Sequence, residues 1–162
     1  LGHYDKIHLF DVDIDDAQGS YRESDLFLSG DEIKVFPTPY GNVGLTICYD
    51  LRFPYVFDRL RKAGADIISV VAAFTETTGK AHWQPLLQAR AIEQQSYVLA
   101  SNQWGQHDDK RRTYGHSMVI SPWGEVLDQL PEAQGIACAE IDLAEVERIR
   151  REMPIANHQR EI

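Results

Sequence analysis

What this 162-residue chain lacks narrows its chemistry before any motif is considered. It has only two cysteines, Cys48 and Cys138. That is too few for a disulfide framework, and they form no CxxC redox pair, which fits a reducing compartment such as the cytoplasm. Its six histidines fall in no HExxH or paired Cys/His spacing, so neither a metal centre nor any other cofactor is expected. No apolar run reaches the ~20 residues of a membrane-spanning helix. Positive charge is scarce as well: 16 Lys and Arg against 25 Asp and Glu leave a formal net charge of -9. That balance argues against nucleic acid or an anionic membrane as a partner. The one basic cluster, Lys110-Arg111-Arg112, adjoins Asp108 and Asp109 and reads as a solvated loop.

What is present is ordinary for a globular chain, with 43% hydrophobic and 25% charged residues, enough for one domain with a core over residues 1–162. Apolar runs and turn residues predict strands at Tyr4–Val12, Ile33–Phe36, Val43–Ile47, Ile67–Ala72, Tyr97–Ala100, Gly115–Ile120, Val126–Leu130 and Ile136–Ile141. A turn is expected over Pro37–Asn42, and long polar loops over Asp11–Asp31 and Asn102–Thr113. Helical spacing predicts helices over 55–63 and 81–95, and a third from a capping box at Asp142 and Glu145 to about Arg151. Pro154 stops that helix and 152–162 form a tail. Strand–helix–strand order around 43–72 is a βαβ unit, so the class is α/β with two parallel strands. The opening Leu1-Gly2-His3-Tyr4 carries no initiator methionine and enters a strand-like segment directly, so the expectation is a piece of something longer.

The chemistry centres on Val43-Gly44-Leu45-Thr46-Ile47-Cys48-Tyr49-Asp50-Leu51-Arg52-Phe53-Pro54. A cysteine at the C-terminal end of a strand, just before a helix, gains from free N–H groups and the helix dipole. The plainer reading is a buried structural cysteine, since free cysteine is among the most buried residue types. Cys138, inside an expected strand, reads as inert packing.

Taken with Tyr4-Asp5-Lys6-Ile7-His8-Leu9-Phe10-Asp11, this segment resembles the lysine and cysteine motifs of the nitrilase superfamily of carbon–nitrogen hydrolases. The likeness runs on through Ala81-His82-Trp83, Ala89-Arg90-Ala91-Ile92-Glu93, Tyr114-Gly115-His116-Ser117-Met118-Val119 and Pro122-Trp123-Gly124. The later segments look most like the branch containing deaminated glutathione amidases and omega-amidases. The resemblance implies an α-β-β-α sandwich that pairs into homodimers or larger assemblies, and a Glu-Lys-Cys triad acting on a small amide. It assigns Cys48 as nucleophile and Lys6 as the lysine, with the Tyr49 N–H as an oxyanion donor. The family's catalytic glutamate precedes the lysine motif, so the expectation is that these 162 residues alone are nearly inactive. Asp13 stands about where many members carry a second acid. Tyr55 departs from the pattern, which usually has Glu after Phe-Pro.

Around these residues several readings stay open. Lys6 without the motif would be a solvated strand-end lysine. Arg52 reads equally as a clamp for a substrate carboxylate or as an ion-pair partner of Asp50. His116 and His82 are pocket candidates, while Trp83 reads as core. Hydrolysis of a carboxylate-bearing amide with release of ammonia leads. Behind it stand an N-carbamoyl amide hydrolase or nitrilase, a truncated assembly subunit without catalysis, and a thiol sensor.

Overall fold

In the computed structural model, which describes residues 2–16 and 19–160, a six-stranded mixed sheet organises the chain. Its strands are β3 (Val35–Thr38), β4 (Gly41–Ile47), β5 (Ile67–Ala72), β6 (Tyr97–Asn102), β9 (Met118–Ile120) and β10 (Val126–Gln129), in the order β10-β9-β6-β5-β4-β3. Two small hairpins stand apart from it, β1 (Asp11–Asp13) with β2 (Ser20–Arg22) and β7 (Trp104–Gln106) with β8 (Arg112–Tyr114). Residues 1, 17, 18, 161 and 162, which belong to the expected N-terminal segment, acidic loop and tail, lie outside the described residues.

The expected βαβ unit is present twice. β4 and β5 are parallel, as are β5 and β6, and the crossovers carry α1 (Pro54–Lys62) and α2 (Glu76–Gln94). Pro54 opens α1, where a missing N–H is harmless, and Val56, Phe57 and Leu60 are its buried residues. Both helices pack on one face of the sheet, where Ile68, Val70, Val98, Ala100, Met118 and Ile120 meet Phe57, Leu60, Trp83 and Leu87. α3 (Leu143–Glu152) covers part of the other face through Val146 against Ile67 and Tyr97. Further along that face the sheet is open, and Val71 is 47% exposed. The class is α/β, with helices packed on a mixed sheet.

Four sequence expectations are corrected. Tyr4–Val12 is not a strand: only Asp11–Asp13 pairs, with β2, because the backbone before it bonds to side chains and loops instead of a ladder. Ile136–Ile141 forms no strand either; Ile136 is 84% exposed and the Cys138 N–H donates to the Asp128 side chain. Cys138 is therefore an exposed thiol and not core packing. Finally, α2 begins five residues earlier than its apolar spacing suggested, because Thr75 caps it by accepting from the Thr78 N–H. Gly79 looks like a breaker there, yet a Cβ would lie 2.3 Å from the Tyr114 Cβ, so only glycine lets α2 approach β8.

Smaller differences are a short helix, α4 (Ile155–His158), within the expected tail, the β7–β8 hairpin across the expected 102–113 loop, and two at the ends of elements. The hairpin joining β3 to β4 turns at Pro39-Tyr40 alone, with strand pairing from Thr38 to Gly41. At α3, Asp142 caps the Ala144 N–H, but the Glu145 carboxylate accepts from the Tyr97 hydroxyl at 2.6 Å and does not close a reciprocal box.

Candidate active site

Strand β4 ends at Ile47 and the chain turns at once into a 3-10 turn, Cys48–Arg52. Cys48 itself has φ 48°, left-handed backbone that costs a non-glycine residue on the order of 1–2 kcal/mol. Two buried side chains hold this strained turn. The Asp50 carboxylate is fully buried and accepts the Ile47 N–H at 3.0 Å. From behind, Arg90 of α2 donates Nε and Nη2 to the Leu51 carbonyl at 3.2 and 3.0 Å.

Asp50 also binds the segment that carries Lys6. Its Oδ2 accepts the Tyr4 hydroxyl at 2.7 Å. Its Oδ1 accepts the His8 N–H at 3.0 Å and meets His8 Nδ1 at 2.8 Å. The His8 ring stacks on Phe53 with centroids 3.6 Å apart, and Nε2 bonds the Tyr55 hydroxyl. Tyr55 thus serves as the outer support of His8. One carboxylate ties the lysine segment to the nucleophile turn, with four partners on two oxygens.

The result is a cavity of about 680 Å³ whose lining includes Lys6, Glu23, Cys48, Tyr49, Arg52 and Phe74. Lys6 pairs with Glu23, whose carboxylate also accepts the Phe10 N–H at 2.7 Å. Asp13 does not occupy that place: it points outward, bonded to Arg22 at 2.9 Å, and is absent from the cavity lining. Glu76, at the start of α2, is bound to Arg112. His116 also lies away from the cavity. Its ring stacks on Tyr114, its Nδ1 meets the Tyr114 carbonyl at 2.8 Å, and its own carbonyl accepts from Trp83.

Arg52 resolves one of the open alternatives. Asp50 faces Tyr4, His8 and Ile47, and no carboxylate among the described residues pairs with Arg52. Its guanidinium lies over the Phe74 and Tyr49 rings, 5.2 and 5.8 Å from their centroids, and donates to His82 Nδ1 at 3.1 Å. Burial pulls its pKa below the usual guanidinium value, yet it stays a cation at neutral pH.

The Cys48 thiol is held above its ordinary pKa, because burial outweighs the opposing bond from the Ala73 backbone and the charges of Lys6 and Arg52. This reverses the expectation of a thiol depressed by a helix N-terminus: the turn is too short to supply much dipole. A raised pKa means less thiolate at pH 7, and thiolate grows as pH rises. Iodoacetamide at pH 7 is therefore expected to label exposed Cys138 faster than Cys48, with Cys48 catching up in alkaline buffer. Peptide mapping of the folded protein checks this, and dominant Cys48 labelling at pH 6 would reverse the assignment.

Residues 1–151 match the carbon-nitrogen hydrolase family. The chain belongs to that family. It is 51% identical over 157 residues to a protein of Yersinia enterocolitica named deaminated glutathione amidase, covering 97% of this chain and 55% of that one. A Dictyostelium discoideum protein of the same name is 49% identical over 97% of this chain and 54% of its own. Among solved structures, the Caenorhabditis elegans NitFhit protein superposes with a TM-score of 0.90 at 47% identity, over 97% of this chain and 38% of that one. The Nit3 protein of Saccharomyces cerevisiae, from the nitrilase superfamily, does so at 0.80 and 31%, over 93% and 51%. The chain spans about half the length of the curated relatives it matches.

Glu23 is the site residue that sequence reasoning missed. It sits in Arg22-Glu23-Ser24-Asp25, inside an acid-rich stretch where nothing in the local pattern separates one acid from the next. Only the 3-10 turn at Glu23–Asp25 and the fold of the loop bring it to Lys6.

Proposed function

We propose that this protein hydrolyses a small, carboxylate-bearing amide through a Cys48 thioester. The observation that carries the reading is the convergence of Cys48, Lys6 and Glu23 on one cavity whose wall holds Arg52 without an acid partner. The Cys48 sulfur attacks the amide carbon and its proton passes through a carboxylate base to the departing nitrogen. Lys6 and the Tyr49 N–H stabilise the oxyanion, each well-aimed donor contributing about 3 kcal/mol. Water then cleaves the thioester, returning the thiol and releasing the acid; a primary amide yields ammonia.

Glu23 fits as one proton carrier and as the group that fixes Lys6. In the family that the resemblance points to, a further glutamate ahead of the lysine motif acts with such groups. In that reading these 162 residues alone are slower by a factor of ~100 to 10,000. The names borne by the relatives favour amide hydrolysis over the N-carbamoyl and nitrile alternatives. We extend the proposal to a homodimer or larger assembly in the cytoplasm, which suits two free cysteines and the exposed apolar pair Ile92 and Trp123.

Arg52→Lys keeps the charge but loses the planar fork. Its KM for a carboxylate-bearing amide such as glutaramate is expected to rise about tenfold, with kcat little changed and neutral amides unaffected. Steady-state assays of product release on both amide classes check this. An equal loss on neutral amides would make Arg52 a structural residue.

A further inference from the structure

Lys6 sits in a segment that no strand ladder holds, since no β-strand forms over residues 2–10. Its ammonium and the Cys48 sulfur can act on one substrate carbonyl only if something else fixes their separation. A spacing shared by the two segments does so. His8 lies two residues after Lys6, and Asp50 lies two residues after Cys48. Those second residues are bonded to each other: His8 Nδ1 is 2.8 Å from Asp50 Oδ1, and the His8 N–H donates to the same oxygen at 3.0 Å. Two residues before Lys6, the Tyr4 hydroxyl donates to the other oxygen at 2.7 Å. Lys6 is thus straddled by two anchors on one carboxylate, and its own carbonyl accepts the Gly30 N–H at 2.8 Å.

A side chain bonded at one point can still swing about that bond, and the His8 ring is denied this freedom. It stacks on Phe53 with the ring planes 9° apart, and Nε2 bonds the Tyr55 hydroxyl in the first turn of α1. Asp50, Phe53 and Tyr55 lie in order along the path from the nucleophile turn into α1, so one imidazole grips that path at three points. Asp50 is the one carboxylate bonded to the ring, and the nearest cation on the Tyr55 side is Arg59, 5.7 Å from the centre of the Tyr55 ring. Any flat apolar side chain could fill the space on Phe53. Bonds at both nitrogens fix the orientation of the ring as well, which packing alone does not require.

The Cys48 thiol responds to where Lys6 stands. Burial holds it up, the Ala73 backbone and the Lys6 charge pull it down, Glu23 opposes them and Arg52 adds to them. Moving the ammonium away leaves burial less opposed, so the thiol needs a higher pH to ionise.

We infer that His8, steadied by Tyr55, is a positioning residue that sets the place of Lys6 relative to the Cys48 sulfur. This rests on the amidase reading of the same site. Neither His8 nor Tyr55 is among the residues lining the cavity, so both act through Lys6 and not on the substrate. Their loss slows the chemical step and leaves substrate affinity in place.

The test compares His8→Asn, His8→Gln and Tyr55→Phe. An Asn amide nitrogen takes the place of Nδ1 and keeps the bond to Asp50, whereas a Gln amide nitrogen takes the place of Nε2 and gives that bond up. One readout is iodoacetamide labelling of Cys48 across neutral and alkaline pH, with exposed Cys138 as the reference in the same peptide map. The other is steady-state hydrolysis of glutaramate. His8→Gln is expected to slow Cys48 labelling at neutral pH about three- to tenfold, with Cys138 unchanged. It should lower kcat about 100-fold, as a misplaced catalytic group does, with KM within about twofold of the parent. His8→Asn should restore most of both. Tyr55→Phe removes one hydroxyl from a half-exposed side chain and should shift both readouts the same way by about threefold. Equal losses in the Asn and Gln variants, a raised KM at constant kcat, or parent-like labelling in Tyr55→Phe would overturn the proposal. Should His8→Gln fail to fold, Tyr55→Phe decides alone. Labelling needs no turnover, so the amidase reading is judged separately: a parent protein that hydrolyses no carboxylate-bearing amide, while the variants still slow Cys48 labelling, refutes that reading and leaves the positioning role standing.

Discussion

Replacing Cys48 with alanine is expected to reduce amide hydrolysis by roughly 10,000-fold or more, as loss of a covalent nucleophile does when the remaining site can only bind and polarise. Of the other small hydroxyls in the lining, those of Thr75, Thr78 and Ser101, two are engaged with each other. The hydroxyls of Thr75 and Thr78 are 2.9 Å apart and bonded to each other, and Thr75 is the cap of α2. Cys48→Ser should do little better, because a hydroxyl needs a stronger base than a thiol does. Steady-state release of amine or ammonia from a carboxylate-bearing amide measures the effect, with far-UV circular dichroism to show that the fold is kept. Residual activity within tenfold of the parent would remove Cys48 from the mechanism. The strained backbone at Cys48 gives a second readout: if the strain exists to aim the sulfur, the alanine variant should be no less stable than the parent.

Asp50→Ala should be the most destabilising single substitution near the site, by about 3–5 kcal/mol. The carboxylate is fully buried, and its removal strands the Tyr4 hydroxyl, the Ile47 N–H and both donors of His8 without acceptors. Two elements then lose their common anchor, so Lys6 and Cys48 should drift apart and catalysis should fall even where the fold survives. Asp50→Asn keeps the shape but offers donors where acceptors are needed, and should lie between. Urea unfolding checks the stability, and a loss under about 1 kcal/mol would contradict the clamp.

The same cluster sets a pH limit. Burial, and then the negative charge of Asp50, push the Tyr4 hydroxyl well above its ordinary value of 10.0. Its folded pKa is thus raised, so its contribution is complete below about pH 10 and fades as pH rises through the higher folded value.

The contrast between what the sequence determined alone and what waited for the fold follows the range of the interactions. Strands 43–47 and 67–72 and the helix after Pro54 were legible because each is set by neighbours a few residues apart: apolar runs, a proline start, a glycine stop. The cysteine and lysine motifs were legible as well, and with them the family, since they preserve residue order rather than geometry. Thr75 and Gly79 misled the reading of α2 because a cap and a close helix–strand contact look locally like a loop and a breaker.

The Lys6 segment shows the limit most clearly. Its β-like composition predicted a strand, but its hydrogen bonds run to Asp50, 42 positions away, and a local pattern carries no record of such a partner. Only the tertiary structure put Glu23, and not Asp13, beside Lys6, and turned Arg52 to His82 instead of Asp50. Those choices concern which charge finds a counter-charge after the chain closes on itself. Charge pairing of that kind depends on distance in space, which residue order alone does not contain.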